Sequence, residues 1–284
     1  MNIMKLRPLF LFISLSLIIF SVFSIIKWKF KPSIDFSGGT VWEIKTAKNQ
    51  EEIKKIFEQN KISVNSILST SSHTQLLKFQ NITQEIKQKI ETDIKNKDQQ
   101  FIEIRYETLT PSLGKELLQK TIYAIILSSL AILIFIASRF GNWAFGLGAV
   151  LAMFHDTFIL IGVFSFLGHL FGAEIDSLFV TAVLTTLSSS VHDTIVTFDR
   201  MRELRHKRLN LSWVELANEA VTNTLVRSIN NSMTIIFMLL ALVLFGGEIT
   251  RWFASALLVG VICGTYSSTA VAIPLVLLIK RSKK

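Results

Sequence analysis

Apolar residues in this chain gather into long, nearly uncharged runs at 9–26, 122–138, 143–167, 178–198, 233–245 and 253–279, and a long polar stretch, 27–120, follows the first of them. A bilayer core about 30 Å thick is crossed by about 20 helical residues. The runs are therefore read as six transmembrane helices. The first follows Lys5 and Arg7, is longer than a signal-peptide core of about 7–15 residues, and has no clear Ala-x-Ala site after it. An uncleaved helix is expected there.

The 27–120 stretch is patterned as a folded domain. Apolar and polar positions alternate at 41–45, 63–70, 75–80 and 101–106, which predicts strands. In the last of these, Phe101, Glu103 and Arg105 are assigned to one face and Ile102, Ile104 and Tyr106 to the other. Helical spacing appears at 50–59, through Ile53, Ile56 and Phe57, and at 82–95, through Ile82, Ile86, Ile90 and Ile94. Ser71-Ser72-His73 is expected to turn between the middle strands. The order β-α-β-β-α-β is the split βαβ signature of a ferredoxin-like α+β domain. The expected fold is thus an α-helical polytopic membrane protein carrying one small α+β domain.

Composition agrees, with half the residues hydrophobic. The net charge of +9 is ascribed to cytoplasmic links that orient a membrane protein rather than to nucleic-acid binding. Arg139 follows the second run, Arg200, Arg202, Arg205, Lys207 and Arg208 follow the fourth, and Lys280, Arg281, Lys283 and Lys284 close the chain, whereas the link at 168–176 holds Glu174 and Asp176 without Lys or Arg. The expected layout is a cytoplasmic N-terminus (1–8), a first helix (9–26), a periplasmic domain (27–120), a five-helix membrane region (121–279) with a cytoplasmic basic link (199–228), and a basic cytoplasmic tail (280–284). Within the link, Ser212 and Glu215 form a capping-box pattern. Trp213, Leu216, Ala217, Ala220, Val221 and Leu225 then share a helical face, which suits a helix lying on the membrane surface or one packed in the bundle.

Enzyme signatures are missing from the sequence. The lone Cys263 excludes an internal disulfide, the five histidines lack zinc-site spacing, and neither a phosphate loop nor a nucleophile elbow occurs. No catalytic activity, metal or cofactor is expected. Ionisable residues inside membrane helices are costly and mark functional positions. Phe154-His155-Asp156-Thr157 lies midway along the third run, Val191-His192-Asp193-Thr194 lies in the fourth, and Arg227 stands at the entry to the fifth. Arg227 reaches either inward to Asp193 or outward to lipid headgroups. Asp193 suits proton handling or a helix–helix hydrogen bond beside Ser188, Ser189, Ser190 and Thr194. His192 is placed to assist, because an imidazole changes charge near neutral pH. Gly260, Gly264 and Ser268 follow small-xxx-small spacing, suited to close packing within the chain or with a partner.

The element Ile34-Asp35-Phe36-Ser37-Gly38-Gly39-Thr40 follows the first helix, where it suits a β-turn entering a strand. It resembles the signature of the SecF family at that place. The segment from Val191-His192-Asp193-Thr194 through Asp199-Arg200-Met201-Arg202-Glu203 resembles that family's fourth-helix motif, and 242–247 and 259–268 resemble its last two helices. The resemblance implies a six-helix half of the RND type, pairing with SecD, and use of the proton motive force to promote preprotein translocation through the SecYEG translocon of the bacterial inner membrane. SecA and YajC are further candidate partners, alongside membrane lipid. It implies a proton relay or ion pair at Asp193 and Arg227, to which the intramembrane His192 and Asp156 are added as candidates. Family-motif positions are Asp35, Phe36, Gly38, Gly39, Thr40, Asp199 and Arg200. His192 departs from the family, which usually has Asn there. The alternative is an RND-type exporter of small molecules or lipids.

Overall fold

The computed structural model describes residues 3–71 and 74–281. Six of its helices are long and apolar enough to cross a membrane. The first is α1 (Arg7–Trp28), after a 3-10 turn at Ile3–Leu6. One-turn α2 (Ile34–Ser37) then leads into β1 (Gly39–Lys45), α3 (Gln50–Gln59), β2 (Val64–Ser71), β3 (Thr74–Phe79), α4 (Gln84–Lys97) and β4 (Ile102–Leu109). The remaining spans are α5 (Pro111–Phe140), α6 (Trp143–Phe171), α7 (Ser177–Lys207), α8 (Trp213–Phe245) and a composite of α9 (Glu248–Ser267), a π-helical turn (Ser268–Ala272) and α10 (Ile273–Arg281).

The α+β domain has the expected topology. Its antiparallel sheet runs β2-β3-β1-β4, the ferredoxin-like order. One sheet face packs on α3 and α4 around Trp42, Ile44, Ile53, Phe57, Leu77, Phe79, Ile90 and Ile94, all essentially sealed from solvent. Helix α3 starts where expected because Asn49 and Glu52 close a capping box. Asp98 anchors the far corner, accepting hydrogen bonds from Thr46 Oγ1 and from the N–H groups of Ala47 and Gln100. Burial pushes its carboxyl up, but those donors outweigh it and hold the group below its ordinary value.

Three expectations need correction, and one open alternative is decided. Residues 111–120 belong to α5, because Pro111 suits a first helical turn and the strand ends at Leu109. The 213–225 segment is the first part of continuous α8, and its apolar face packs in the bundle through Leu216, Ala217, Ala220 and Val221. Of the two readings of that segment, the packed helix is the one found. The Asp35–Gly39 element forms one helical turn and a glycine pair in place of a β-turn. Finally, β4 slips by one residue, since Arg105 pairs with Glu43 but Glu103 with Ile44. The bulge leaves Ile102 and Ile104 exposed, while Lys87 meets both the Glu103 carboxylate and the Tyr106 ring. Ser72 and His73 of the expected turn lie outside the described residues.

A junction of the family-motif residues fixes the domain to the bundle. Asp35 accepts from Ser177 N–H at 2.9 Å and Ser177 Oγ at 2.6 Å, at the start of α7. Gly38 has φ +77° and abuts Pro111; a side chain at Gly39 would sit 2.7 Å from the Phe79 carbonyl oxygen. The Phe36 carbonyl presses on Gly114 of α5, and Thr40 donates to Asn81 Oδ1. Buried Lys78 of β3 reaches Ser33 Oγ at 3.1 Å and Glu174 Oε2 at 3.4 Å. Pro32 and Ile175 form a β-bridge, with Ser33 and Lys31 bonded to Ile175 on either side. Above it, a cleft of roughly 720 Å³ opens between the outer sheet face and the bundle, lined by Glu43, Arg105, Glu107, Glu116 and Trp252 among others.

Candidate functional site

Hydroxyls are buried at several levels of the bundle, and one level near its middle also buries a carboxylate. Glycines let α9 approach α7 there: a side chain at Gly260 would collide with Thr186, and one at Gly264 would press on Ser190. The small-xxx-small stripe is therefore used within the chain. Just beyond it, Pro274 lacks the N–H that would bond the Ala270 carbonyl, and the helix widens into the π-turn. Ser267, the last residue before the widening, is fully buried.

Asp156 lies at this level near the middle of α6 and is 4% exposed. Its Oδ2 accepts from Ser190 Oγ of α7 at 2.6 Å and from Ser267 Oγ of α9 at 2.5 Å. Its Oδ1 lies 3.0 Å from Nδ1 of His155. Three helices thus converge on one carboxylate. The other ring nitrogen, His155 Nε2, is buried with no hydrogen-bonding partner among the described residues.

Asp193 lies three residues beyond Ser190 on α7, roughly 4.5 Å farther from the α+β domain at 1.5 Å per residue. Its Oδ2 accepts from Ser228 Oγ of α8 at 3.0 Å, with Ser232 Oγ at 3.5 Å. Ser232 in turn accepts from Thr265 Oγ1 of α9 at 2.7 Å. Thr265 and Ser267 stand two residues apart, so α9 touches both carboxylate clusters.

The expected partner of Asp193 is displaced. Arg227 is exposed on α8 and forms no ion pair among the described residues, because consecutive helical residues point about 100° apart and Ser228 takes the inward direction. His192 is also turned outward: its side chain is 71% exposed and Nδ1 lies 3.7 Å from Asp193 Oδ1, too far for a hydrogen bond. Asp199 and Arg200 lie at the far end of α7, where they pair with Arg202 and Glu203 and do not enter the interior network. Sequence reasoning missed Ser190 and Ser267 as ligands of Asp156 and Ser228 as the ligand of Asp193. The paired small residues of α9 were the available signal.

Comparisons with known proteins agree along the whole chain. Residues 89–282 match the family model described as protein export membrane protein SecD/SecF, C-terminal. A SecF translocase subunit of Thermobaculum terrenum is 38% identical, over 94% of this chain and 90% of that protein. The chain belongs to the SecF family of protein translocase subunits. A SecF subunit of Sebaldella termitidis is 35% identical over 100% of this chain and 93% of its own length. The crystal structure of SecDF, a translocon-associated membrane protein from Thermus thermophilus, superposes with a TM-score of 0.83 at 29% identity, over 99% of this chain and 39% of that longer one. SecDF in a super-membrane-facing form gives a TM-score of 0.74 at 28% identity, again over 39% of its length. This SecF chain is therefore a multi-pass membrane protein of a transport family, and the SecDF chains extend well beyond the part it matches.

Proposed function

We propose that this SecF chain pairs with SecD and uses the proton motive force to promote preprotein translocation beside the SecYEG translocon of the bacterial inner membrane. The observation that carries this reading is the Asp193 carboxylate, set in a membrane helix and held by hydroxyls alone, with two exposed polar side chains, His192 and Arg227, next to it on the flank of the bundle. Ionisable groups at membrane depth face protein or water rather than lipid. A second six-helix half seated on this flank covers them, and the match to 39% of a SecDF chain leaves room for one. Full-length similarity to SecF subunits favours preprotein transport over small-molecule export.

In this mechanism Asp193 binds and releases the proton. Arg227 and Ser228 differ by one helical step, so a rotation of α8 exchanges a hydroxyl for a guanidinium at the carboxylate. Arg227 then favours the ionised form and Ser228 tolerates the protonated one. Asp156 serves as a second carboxylate and His192 assists at the interface. Each charge moved across supplies about 2.3 kcal/mol per 100 mV. The Asp35–Ser177 and Lys78–Glu174 ties pass the motion of α7 to the outer domain. Both termini are cytoplasmic and the α+β domain is periplasmic, in line with the basic cluster at the far end of α7; a Gln59→Cys variant reacting with an impermeant reagent before the inner membrane is breached supports that topology. Asp193→Asn keeps shape and hydrogen bonding but cannot cycle. Complex yield and gradient-dependent export are measured in the same membranes. Normal export sinks the relay, and loss of SecD instead makes Asp193 a structural contact.

A further inference from the structure

We infer that His155 and Asp156 act as one proton-holding dyad at the middle of the membrane, with the buried Nε2 of His155 as the atom that receives the proton. The inference rests on the proton-driven reading above and adds to it a residue, an atom and an order of transfer.

The geometry is specific. An ionised carboxylate only accepts hydrogen bonds, and Asp156 already receives two hydroxyl hydrogens on Oδ2. Its Oδ1 contact at 3.0 Å then requires the imidazole hydrogen on Nδ1. Neutral His155 is left with a bare lone pair on Nε2, in a ring that is 7% exposed and offers that atom no partner among the described residues. In this state the pair carries a net charge of −1 inside the bundle. No other cationic side chain lies within ion-pair distance of Asp156 among the described residues. One proton on Nε2 makes the imidazolium and brings the pair to zero, with opposite charges in contact. A buried charge is tolerated when it is paired and hydrogen-bonded. The site is therefore built to take one proton, and its loss restores the starting state with nothing else consumed.

The surroundings leave few competitors. On packing helices at this depth the other titratable side chains are Asp193 and His192 of α7 and Cys263 and Tyr266 of α9; α1 and α5 carry no charged residue within 8–26 and 121–138. The Cys263 thiol lies within electrostatic reach of Asp156, and the Tyr266 hydroxyl is occupied with Ser14 and the Phe10 carbonyl. Asp193 lies one helical turn farther from the outer domain. A proton arriving from the domain side thus meets the dyad first and Asp193 second, and the two sites share their helices: Ser190 and Asp193 stand on α7, Ser267 and Thr265 on α9. His155 touches the proton itself, and the Asp156 carboxylate fixes its tautomer.

The test is nitrogen NMR of the full chain, labelled at histidine, in lipid nanodiscs, with the His155 signal assigned from His155→Gln. The expected result is an imidazole with Nδ1 hydrogen-bonded and Nε2 taking up a proton, whose midpoint moves down in Asp156→Asn. If that variant does not fold, Ser267→Ala removes one donor from the carboxylate and moves the midpoint up. A His155 that stays neutral throughout, or titrates identically in these variants, overturns the dyad. Glutamine still donates to Asp156 but holds no proton, so His155→Gln should fold and slow gradient-dependent export by about tenfold or more, on the low side of what loss of a proton-transfer group costs. Export unchanged in His155→Gln overturns the transport role. If His155 titrates as expected while Asp193→Asn exports normally, the dyad stands and the Asp193 relay falls.

Discussion

The tripeptide His-Asp-Thr occurs twice in this chain, at 155–157 on α6 and at 192–194 on α7, and the two copies live in opposite environments. The threonines behave alike, each bonding the carbonyl four residues back, at Met153 and Ser190. The His155 and Asp156 side chains are 6% and 5% exposed and in direct contact. At the second copy the imidazole is 71% exposed and only the carboxylate turns inward. Three helices close over the first pair, and the second lies on a flank where the membrane-spanning part of α8 is largely exposed while that of α6 is mostly buried. Identical local chemistry is thus an enclosed pair in one place and a half-exposed one in the other. Neighbouring helices decide which.

The widest expected gap concerns the hydroxyls. Ser190→Ala with Ser267→Ala strips Asp156 of both side-chain hydroxyl donors and leaves a buried carboxylate bonded to His155 alone. A loss of about 2–4 kcal/mol is expected, because one unsatisfied buried group costs about one to three and a charged one more. Ser228→Ala with Ser232→Ala beside the more accessible Asp193 should cost less than about 1 kcal/mol by the same reasoning. Thermal unfolding of the full chain in one detergent, followed by helical circular dichroism, compares the pairs. Equal losses would show that burial does not separate the two copies.

A smaller effect sharpens the comparison at the histidines. His192→Asn, which installs the residue usual in the family, should leave stability within about 0.5 kcal/mol, as exposed substitutions generally do. His155→Asn shortens the side chain inside the core and should cost about 1–3 kcal/mol through the lost contact and cavity. If the order is reversed, the outward placement of His192 does not describe the protein in its membrane.

The smallest effect lies at the junction. Asp176 caps α7 by accepting from Phe179 N–H at 2.8 Å. Burial pushes its carboxyl above the ordinary value, Asp35 and Glu174 add to this, and Lys78 opposes it. The folded state therefore binds this proton more tightly than the unfolded chain does. The contribution is favourable at low pH and is lost as pH rises from the ordinary carboxylate value through the folded one. Asp176→Asn keeps a good cap and removes that dependence. Stability at neutral pH should stay equal or rise by a few tenths of a kcal/mol, with a flatter profile in that window; a steeper profile would assign the dependence to another group.

Much of the architecture was legible because it is local. Long apolar runs mark membrane helices whatever they pack against, and the alternations and helical spacings within 41–106 placed all four strands and both helices of the α+β domain. The capping residue Ser212 sat where it was read. Face assignments survived less well: a one-residue bulge in β4 moved Ile104 to the surface, and periodicity cannot foresee a slip in register.

The site divides along the same line. Sequence alone marked Asp156, His192, Asp193 and Arg227, because charge inside an apolar run is costly and visible without a fold. It could not assign their partners. Asp193 was expected to meet Arg227 and meets Ser228, one residue and about 100° of helix away. Asp156 binds serines 34 and 111 residues distant, and a serine in a membrane helix carries no mark of the direction it faces. Those choices depend on the rotation of each helix about its axis. That rotation is set by glycine contacts such as Gly260 on Thr186 and by the π-turn ahead of Pro274. It exists only once the helices are packed, which is why the polar network belongs to the tertiary structure and the cost that makes it necessary belongs to the sequence.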